Sequence, residues 1–126
     1  MPNILVVEDD DAIRGMVSDV LREDGYNVSE ARNGAEAFDY VGAHRPDLIV
    51  LDLMMPVMDG WQFVEACHRA AVCDAVPIVV TSASHDLSRT AERLRRYGVR
   101  TCLAKPFDVD GLLALIERYA PSTPAT

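Results

Sequence analysis

The sequence predicts an α/β protein built as an open, doubly wound sheet of five parallel strands with helices on both faces. Three observations carry this. Short apolar runs rich in Val, Ile and Leu recur five times along the 126 residues. A stretch of helical apolar periodicity follows each run. Three of the runs are continuously apolar rather than alternating, as in strands covered on both faces by helices. Strand and helix alternating in this way call for parallel strands and right-handed crossovers, and five units do not close an eight-stranded barrel.

The first run is Ile4 to Val7. After it, Ile13, Met16, Val17, Val20 and Leu21 fall on one helical face, and Gly25 follows as a stop. The second run, Tyr26 to Ala31, is mixed and suits a strand near a sheet edge. Asn33 or Gly34 starts the second helix, with Ala35, Phe38 and Val41 or Gly42 turned inward. The third run is Leu48 to Leu51, and Trp61, Val64, Cys67 and Ala71 mark the helix after it. The fourth is Ile78 to Thr81; its helix has only a sparse stripe, Leu87, Ala91 and Leu94, and should be the most loosely attached. The fifth, Val99 to Ala104, is mixed again and leads to Val109, Leu112, Leu113, Ile116 and Ala120, capped by Asp108. The domain is expected to span residues 1–120, with 121–126 a flexible end or the stub of a linker.

Apolar residues make up 49% of the chain, ordinary for a globular core, and the net charge of −8 argues against sequence-independent binding to nucleic acid or an anionic membrane. Cys67, Cys73 and Cys102 are odd in number, with no CxxC and no zinc spacing, and read as free thiols in a reducing compartment. The start carries no signal-peptide pattern, and no apolar stretch approaches the ~18 residues that cross a bilayer. A cytoplasmic domain is expected.

Ligands of open parallel sheets sit beyond the carboxyl ends of the strands, so the residues there carry the chemistry. Glu8, Asp9, Asp10 and Asp11 follow the first strand, Asp52 the third, Thr81 and Ser82 the fourth, and Lys105-Pro106 the fifth. Four consecutive acids without glycine would repel a dinucleotide's pyrophosphate but welcome a hard cation. Asp10 or Asp11 suits the cap of the first helix, which leaves Glu8 and Asp9 for chemistry. Asp52 follows a buried strand, where an unpaired charge is costly. Mg²⁺ and Lys105 would offset it, since Mg²⁺ takes one or two carboxylates and lysine is a compact, far-reaching cation. After Asp52 the chain forms a tight loop, stiffened by Pro56 and with a permissive backbone at Gly60; Met55 is expected to cover the core.

Taken together, Ile4-Leu5-Val6-Val7-Glu8-Asp9-Asp10, Asp52-Leu53-Met54-Met55-Pro56-Val57-Met58-Asp59-Gly60 and Lys105-Pro106-Phe107 resemble the receiver domain of two-component response regulators, over residues 3 to about 120. The likeness is to the stand-alone type similar to the chemotaxis receiver. It implies a flavodoxin-like (βα)5 sheet of strand order 2-1-3-4-5. It implies Asp52 as phosphoacceptor, Asp9 and Asp52 as Mg²⁺ ligands with the backbone carbonyl of Met54, Glu8 acting through water, and Lys105 neutralising the acyl phosphate, followed by a cis peptide to Pro106. The switch hydroxyl falls on Ser82, counted from Pro77 and followed by Ala83, with Thr81 as the alternative packed on the other side of the strand. Cys102 stands where the family often has a Tyr or Phe, which departs from its aromatic coupling.

The resemblance further implies that a sensor histidine kinase or phosphotransfer protein donates to Asp52, with Mg²⁺ and Lys105 stabilising the moving phosphoryl group. The face of the fourth helix, fifth strand and fifth helix would then bind a downstream protein, with phosphorylation-dependent pairing of two copies as a further option. Arg89, Arg93, Arg95, Arg96 and Arg100 give this side a basic surface. Neither direct nucleic-acid binding nor membrane contact is expected, and the only catalysis is the domain's own phosphotransfer and autodephosphorylation. The alternative is a pseudo-receiver that binds partners without phosphorylation. A haloacid-dehalogenase-like phosphatase would want a second acid where Met54 stands, and a cap domain.

Overall fold

The computed structural model describes residues 2–83 and 86–120. The tail expected from Pro121 onward lies outside the described residues. Five strands, β1 (Asn3–Val7), β2 (Asn27–Ala31), β3 (Leu48–Asp52), β4 (Ile78–Ser82) and β5 (Val99–Ala104), alternate with α1 (Asp11–Glu23), α2 (Gly34–Ala43), α3 (Gly60–Ala70), α4 (Leu87–Leu94) and α5 (Val109–Tyr119). A 3-10 turn, Arg95–Tyr97, follows α4. All strand pairs are parallel and the order is β2-β1-β3-β4-β5, the expected topology. No helix among the described residues is long and apolar enough to cross a membrane.

Strand alternation divides the core in two. Ile4, Val6, Leu48, Val50 and Val79 meet Val17 and Leu21 of α1 and Leu112 and Ile116 of α5. Leu5, Val7, Ile49, Leu51 and Val80 meet Ala37 and Val41 of α2, Phe63 and Val64 of α3 and Leu94 of α4. Strands β3 and β4 are buried at every residue. The continuous apolar runs reflect this double cover.

The helices begin where short acceptors can cap them. Asp10 accepts from the N–H of Ile13 at 3.0 Å, so it, not Asp11, caps α1. Asn33 caps α2 and Asp108 caps α5. Asp59 and Gln62 form a reciprocal capping box on α3.

Four inward assignments differ from the sequence pattern. Met16 is exposed at the rim of a cavity it shares with Phe107, while Ser18 of the same helix is fully buried. In α2 the core residue is Ala37, with Ala35 only half-buried and Gly42 exposed. Phe63, which has no exposure at all, is the main anchor of α3, whereas Trp61 is half-buried. Ala71 lies past the end of α3, exposed and left-handed at φ 55°.

Candidate functional site

Parallel pairing brings the ends of β1, β3 and β5 to one edge of the sheet. Asp52 is the last residue of β3 and stands in register with Thr81 of β4. The β4 ladder continues past β5, with the Lys105 N–H donating to the carbonyl of Ser82 at 2.8 Å. Lys105 therefore projects from the end of β5 toward the acids of β1 and β3. Its Nζ lies 2.6 Å from Oε1 of Glu8 and 3.2 Å from Oδ2 of Asp52. One ammonium thus bridges two buried carboxylates, and the shorter contact is to Glu8, not to Asp52 as the sequence led one to expect.

The electrostatics follow from this geometry. Burial pushes the Glu8 carboxyl above its ordinary range; the Lys105 hydrogen bond opposes this and the neighbouring Asp52 adds to it. Burial works against the Lys105 ammonium, but the Glu8 hydrogen bond and the charges of Asp52 and Glu8 outweigh it and raise its pKa. Asp9 completes the cluster from the exposed side: ligand oxygens of Glu8, Asp9 and Asp52 all lie within 4.8 Å of one another. Three carboxylates against one lysine leave a surplus of negative charge on hard oxygen donors. Magnesium prefers that donor set, so the residues fit the ion.

The loop after β3 is fixed closely around Asp52. The Met54 N–H donates to Asp52 Oδ1 at 3.2 Å, the Leu53 N–H to the Thr81 carbonyl at 3.2 Å, and the Gly60 N–H to the Leu53 carbonyl at 3.0 Å. A Cβ on Gly60 would sit 2.8 Å from the Asp52 carbonyl oxygen and from Leu53 Cα. Glycine is required there for close backbone approach rather than for an unusual φ. Met55 covers the core as expected, and the Met54 side chain is exposed. Val57 has φ 70°, and the Met58 N–H returns to the Pro56 carbonyl at 2.8 Å, a strained γ-turn at a β-branched residue. Gly34 at the start of α2 receives this loop: its N–H donates to the Met58 carbonyl at 2.8 Å.

Thr81 and Ser82 are both buried. Alternation puts Ser82 on the same face as Ile78 and Val80, toward α3 and α4, and Thr81 on the face of Val79. Ser82 lines a cavity of about 350 Å³ with Leu53, Met54, Trp61 and Thr90. Cys102, in register with Val80, is half-buried, and burial alone pushes its thiol pKa up. The Lys105-Pro106 peptide is cis.

Sequence reasoning missed Arg14. Its Nη1 donates to the Glu8 carbonyl at 2.9 Å, while its other nitrogens lie 2.6 Å from Asp11 and 3.3 Å from Glu30. It pins the backbone of the acidic loop. Its place three residues after Asp11 was the only available signal, and that spacing commonly marks a surface pair.

The chain is thus a doubly wound parallel sheet that carries a lysine-bridged carboxylate cluster at its carboxyl edge, where such sheets place their ligands. Sequence comparison makes the class specific: residues 4–117 match the response regulator receiver domain family, and the chain belongs to it. It is 35% identical to sporulation initiation phosphotransferase F of Bacillus subtilis, covering 94% of this chain and 93% of that protein. It is 39% identical to the response regulator MprA of Mycobacterium sp. (strain KMS), covering 94% of this chain but 52% of that one. The chain thus spans nearly all of the first relative and about half of others. Among solved structures, the chemotaxis response regulator CheY4 of Vibrio cholerae matches with a TM-score of 0.86 and 33% identity, over 94% of this chain and 98% of that one. TrrA of Thermotoga maritima, solved in complex with Mg²⁺ and BeF, matches with a TM-score of 0.79 and 27% identity, over 94% and 99%.

Proposed function

We propose that this receiver domain is switched by Mg²⁺-dependent phosphorylation of Asp52. The observation that carries the proposal is the Lys105 ammonium set between Glu8 and Asp52, with Asp9 beside them. Asp9, Asp52 and the backbone carbonyl of Met54 would hold Mg²⁺, with Glu8 acting through water; the ion supplies positive charge to phosphoryl oxygens when bound.

An Asp52 carboxylate oxygen attacks the phosphorus of a phosphohistidine on a sensor histidine kinase or phosphotransfer protein. The P–N bond breaks and an acyl phosphate forms. Lys105, already paired to Asp52, turns its charge to the new phosphoryl group, so little reorganisation is needed. The Ser82 hydroxyl, on the α3–α4 side of β4, donates to a phosphoryl oxygen, and Thr81 remains in the opposite layer. This biases the α4–β5–α5 face toward a downstream protein, or toward a second copy of the chain. Hydrolysis of the acyl phosphate resets the domain, and no other substrate is turned over. We place the domain at residues 1–120, in the cytoplasm and away from nucleic acid and membrane.

Incubation with acetyl phosphate and Mg²⁺, read by intact mass, tests the proposal. One added phosphoryl group, absent without Mg²⁺, is expected. No adduct with either acetyl phosphate or a phosphohistidine donor would instead mark a pseudo-receiver that binds partners unmodified. The half-buried Cys102 at the usual aromatic position favours that second reading.

A further inference from the structure

At the opposite end of the sheet, α3 hands over to β4 through a turn the phosphorylation chemistry does not use. The Ala71 N–H bonds the His68 carbonyl at 3.3 Å and the Val72 N–H bonds the Cys67 carbonyl at 3.0 Å. With Ala71 left-handed, this is a Schellman motif. It folds the chain back on the last turn of α3, so that Cys73 returns over Cys67 and the two Sγ atoms lie 3.6 Å apart.

The turn is held under backbone strain. Ala71, Cys73 and Ala75 have φ of 55°, 64° and 64°, values uncommon for residues with side chains. The Val76 N–H bonds the Cys73 carbonyl at 3.0 Å, and the Arg45 guanidinium donates to the Asp74 carbonyl. Cys67 is buried and Cys73 half-buried; both line a cavity of about 270 Å³, and Cys73 without Cys67 lines another of about 310 Å³. A small oxidant can reach Cys73 first, and Cys67 waits behind it. The chemistry agrees: contact with Cys67, helped by the Arg45 charge, lowers the Cys73 thiol pKa, whereas contact with Cys73 and burial raise that of Cys67.

We propose that Cys67 and Cys73 form a reversible dithiol–disulfide site that responds to hydroperoxides. The Cys73 thiolate attacks a peroxide oxygen, the O–O bond breaks, and a sulfenic acid forms as hydroxide or alkoxide leaves. The Cys67 sulfur then attacks the Cys73 sulfur, expelling the hydroxyl group as water. Two thiols give up two electrons and two protons, and hydrogen peroxide is reduced to two waters. The sulfurs need to close only from 3.6 Å to a bond of about 2.05 Å. The product locks the α3–β4 turn, and an external thiol reverses it.

The test treats the native protein with stoichiometric hydrogen peroxide, then denatures, alkylates and maps it. Alkylatable thiols should fall from three to one, and the intact mass should drop by about 2 Da. A single intrachain cross-link should join Cys67 to Cys73 and disappear with dithiothreitol. Cys102→Ser should form the same cross-link, and Cys73→Ser should not lose a pair of thiols. Three persisting thiols, oxygen addition in place of a cross-link, or a bond through Cys102 or between chains would overturn the proposal. The wild-type map decides even where Cys73→Ser does not fold. Asp52 has no part in this readout, so failure here leaves the phosphorylation proposal untouched.

Discussion

Strands β3 and β4 are buried at every residue, whereas β5 buries only Val99 and α4 buries only Leu94. Asp52 ends the first region, and the expected output face takes α4 and β5 of the second together with α5. A catalytic constellation benefits from groups held in place before the reaction, and a switch needs an element whose alternative positions differ by little free energy. On the proposed reading, these demands fall on neighbouring strands of one sheet, with Lys105 reaching from the end of β5 to Asp52. Besides Leu94, α4 is attached by the Arg93 guanidinium 5.0 Å above the Trp61 ring, a contact that can form and break at modest cost.

The largest effect should come from the rigid half. Asp52→Asn should abolish phosphoryl incorporation while leaving the fold intact, because the amide oxygen still accepts the Met54 N–H. Intact mass after acetyl phosphate treatment, with circular dichroism for the fold, checks both parts. In the loose half, Leu94→Ala should cost about 2–5 kcal/mol of stability. Hydrogen exchange should show the loss concentrated in α4, with β3 amides and phosphorylation retained. Uniformly faster exchange across the sheet would erase the distinction between the two regions.

Lys105→Ala strands Glu8 and Asp52 beside each other and should destabilise the domain by about 1–3 kcal/mol. It also raises the negative charge facing Mg²⁺, so added Mg²⁺ should lift the melting temperature more in this variant than in wild type. The smallest effect concerns Glu36, half-buried in the first turn of α2. The Arg32 backbone N–H at 2.9 Å and then the Arg32 guanidinium lower its pKa. A depressed folded-state pKa contributes stability above the unfolded value of 4.5 that is lost as pH falls through the folded value. Glu36→Gln should therefore cost about 0.5 kcal/mol at neutral pH, scaled to its exposure, and flatten the acid limb of a melting-temperature profile.

The strands were legible because burial on both faces writes itself as uninterrupted apolar runs, and Asp52 and Ser82 were legible as the polar residues that end two of them. A cap at Asp10 or Asp11 and the sparse inward stripe of α4 followed from equally local signals. Phe63, Ala37 and the exposed Met16 were not readable, because the width of a helix's inward stripe depends on how its neighbours cover it. Nor were Lys105 leaning on Glu8, Arg14 holding the Glu8 carbonyl, the steric need for Gly60, or Cys73 folded back on Cys67. Each of these is a contact across a turn or between elements, set by tertiary geometry that residue spacing does not encode.

Asp52 is the proposed acceptor of the phosphoryl group. Borohydride reduction of the acetyl phosphate-treated, Mg²⁺-loaded protein, followed by peptide mapping, converts an aspartyl phosphate to homoserine and so marks its position. Homoserine at position 52 alone is predicted. Homoserine at Asp9 or Glu8's homologous product, or no reduced residue despite a phosphoryl adduct, would contradict the account.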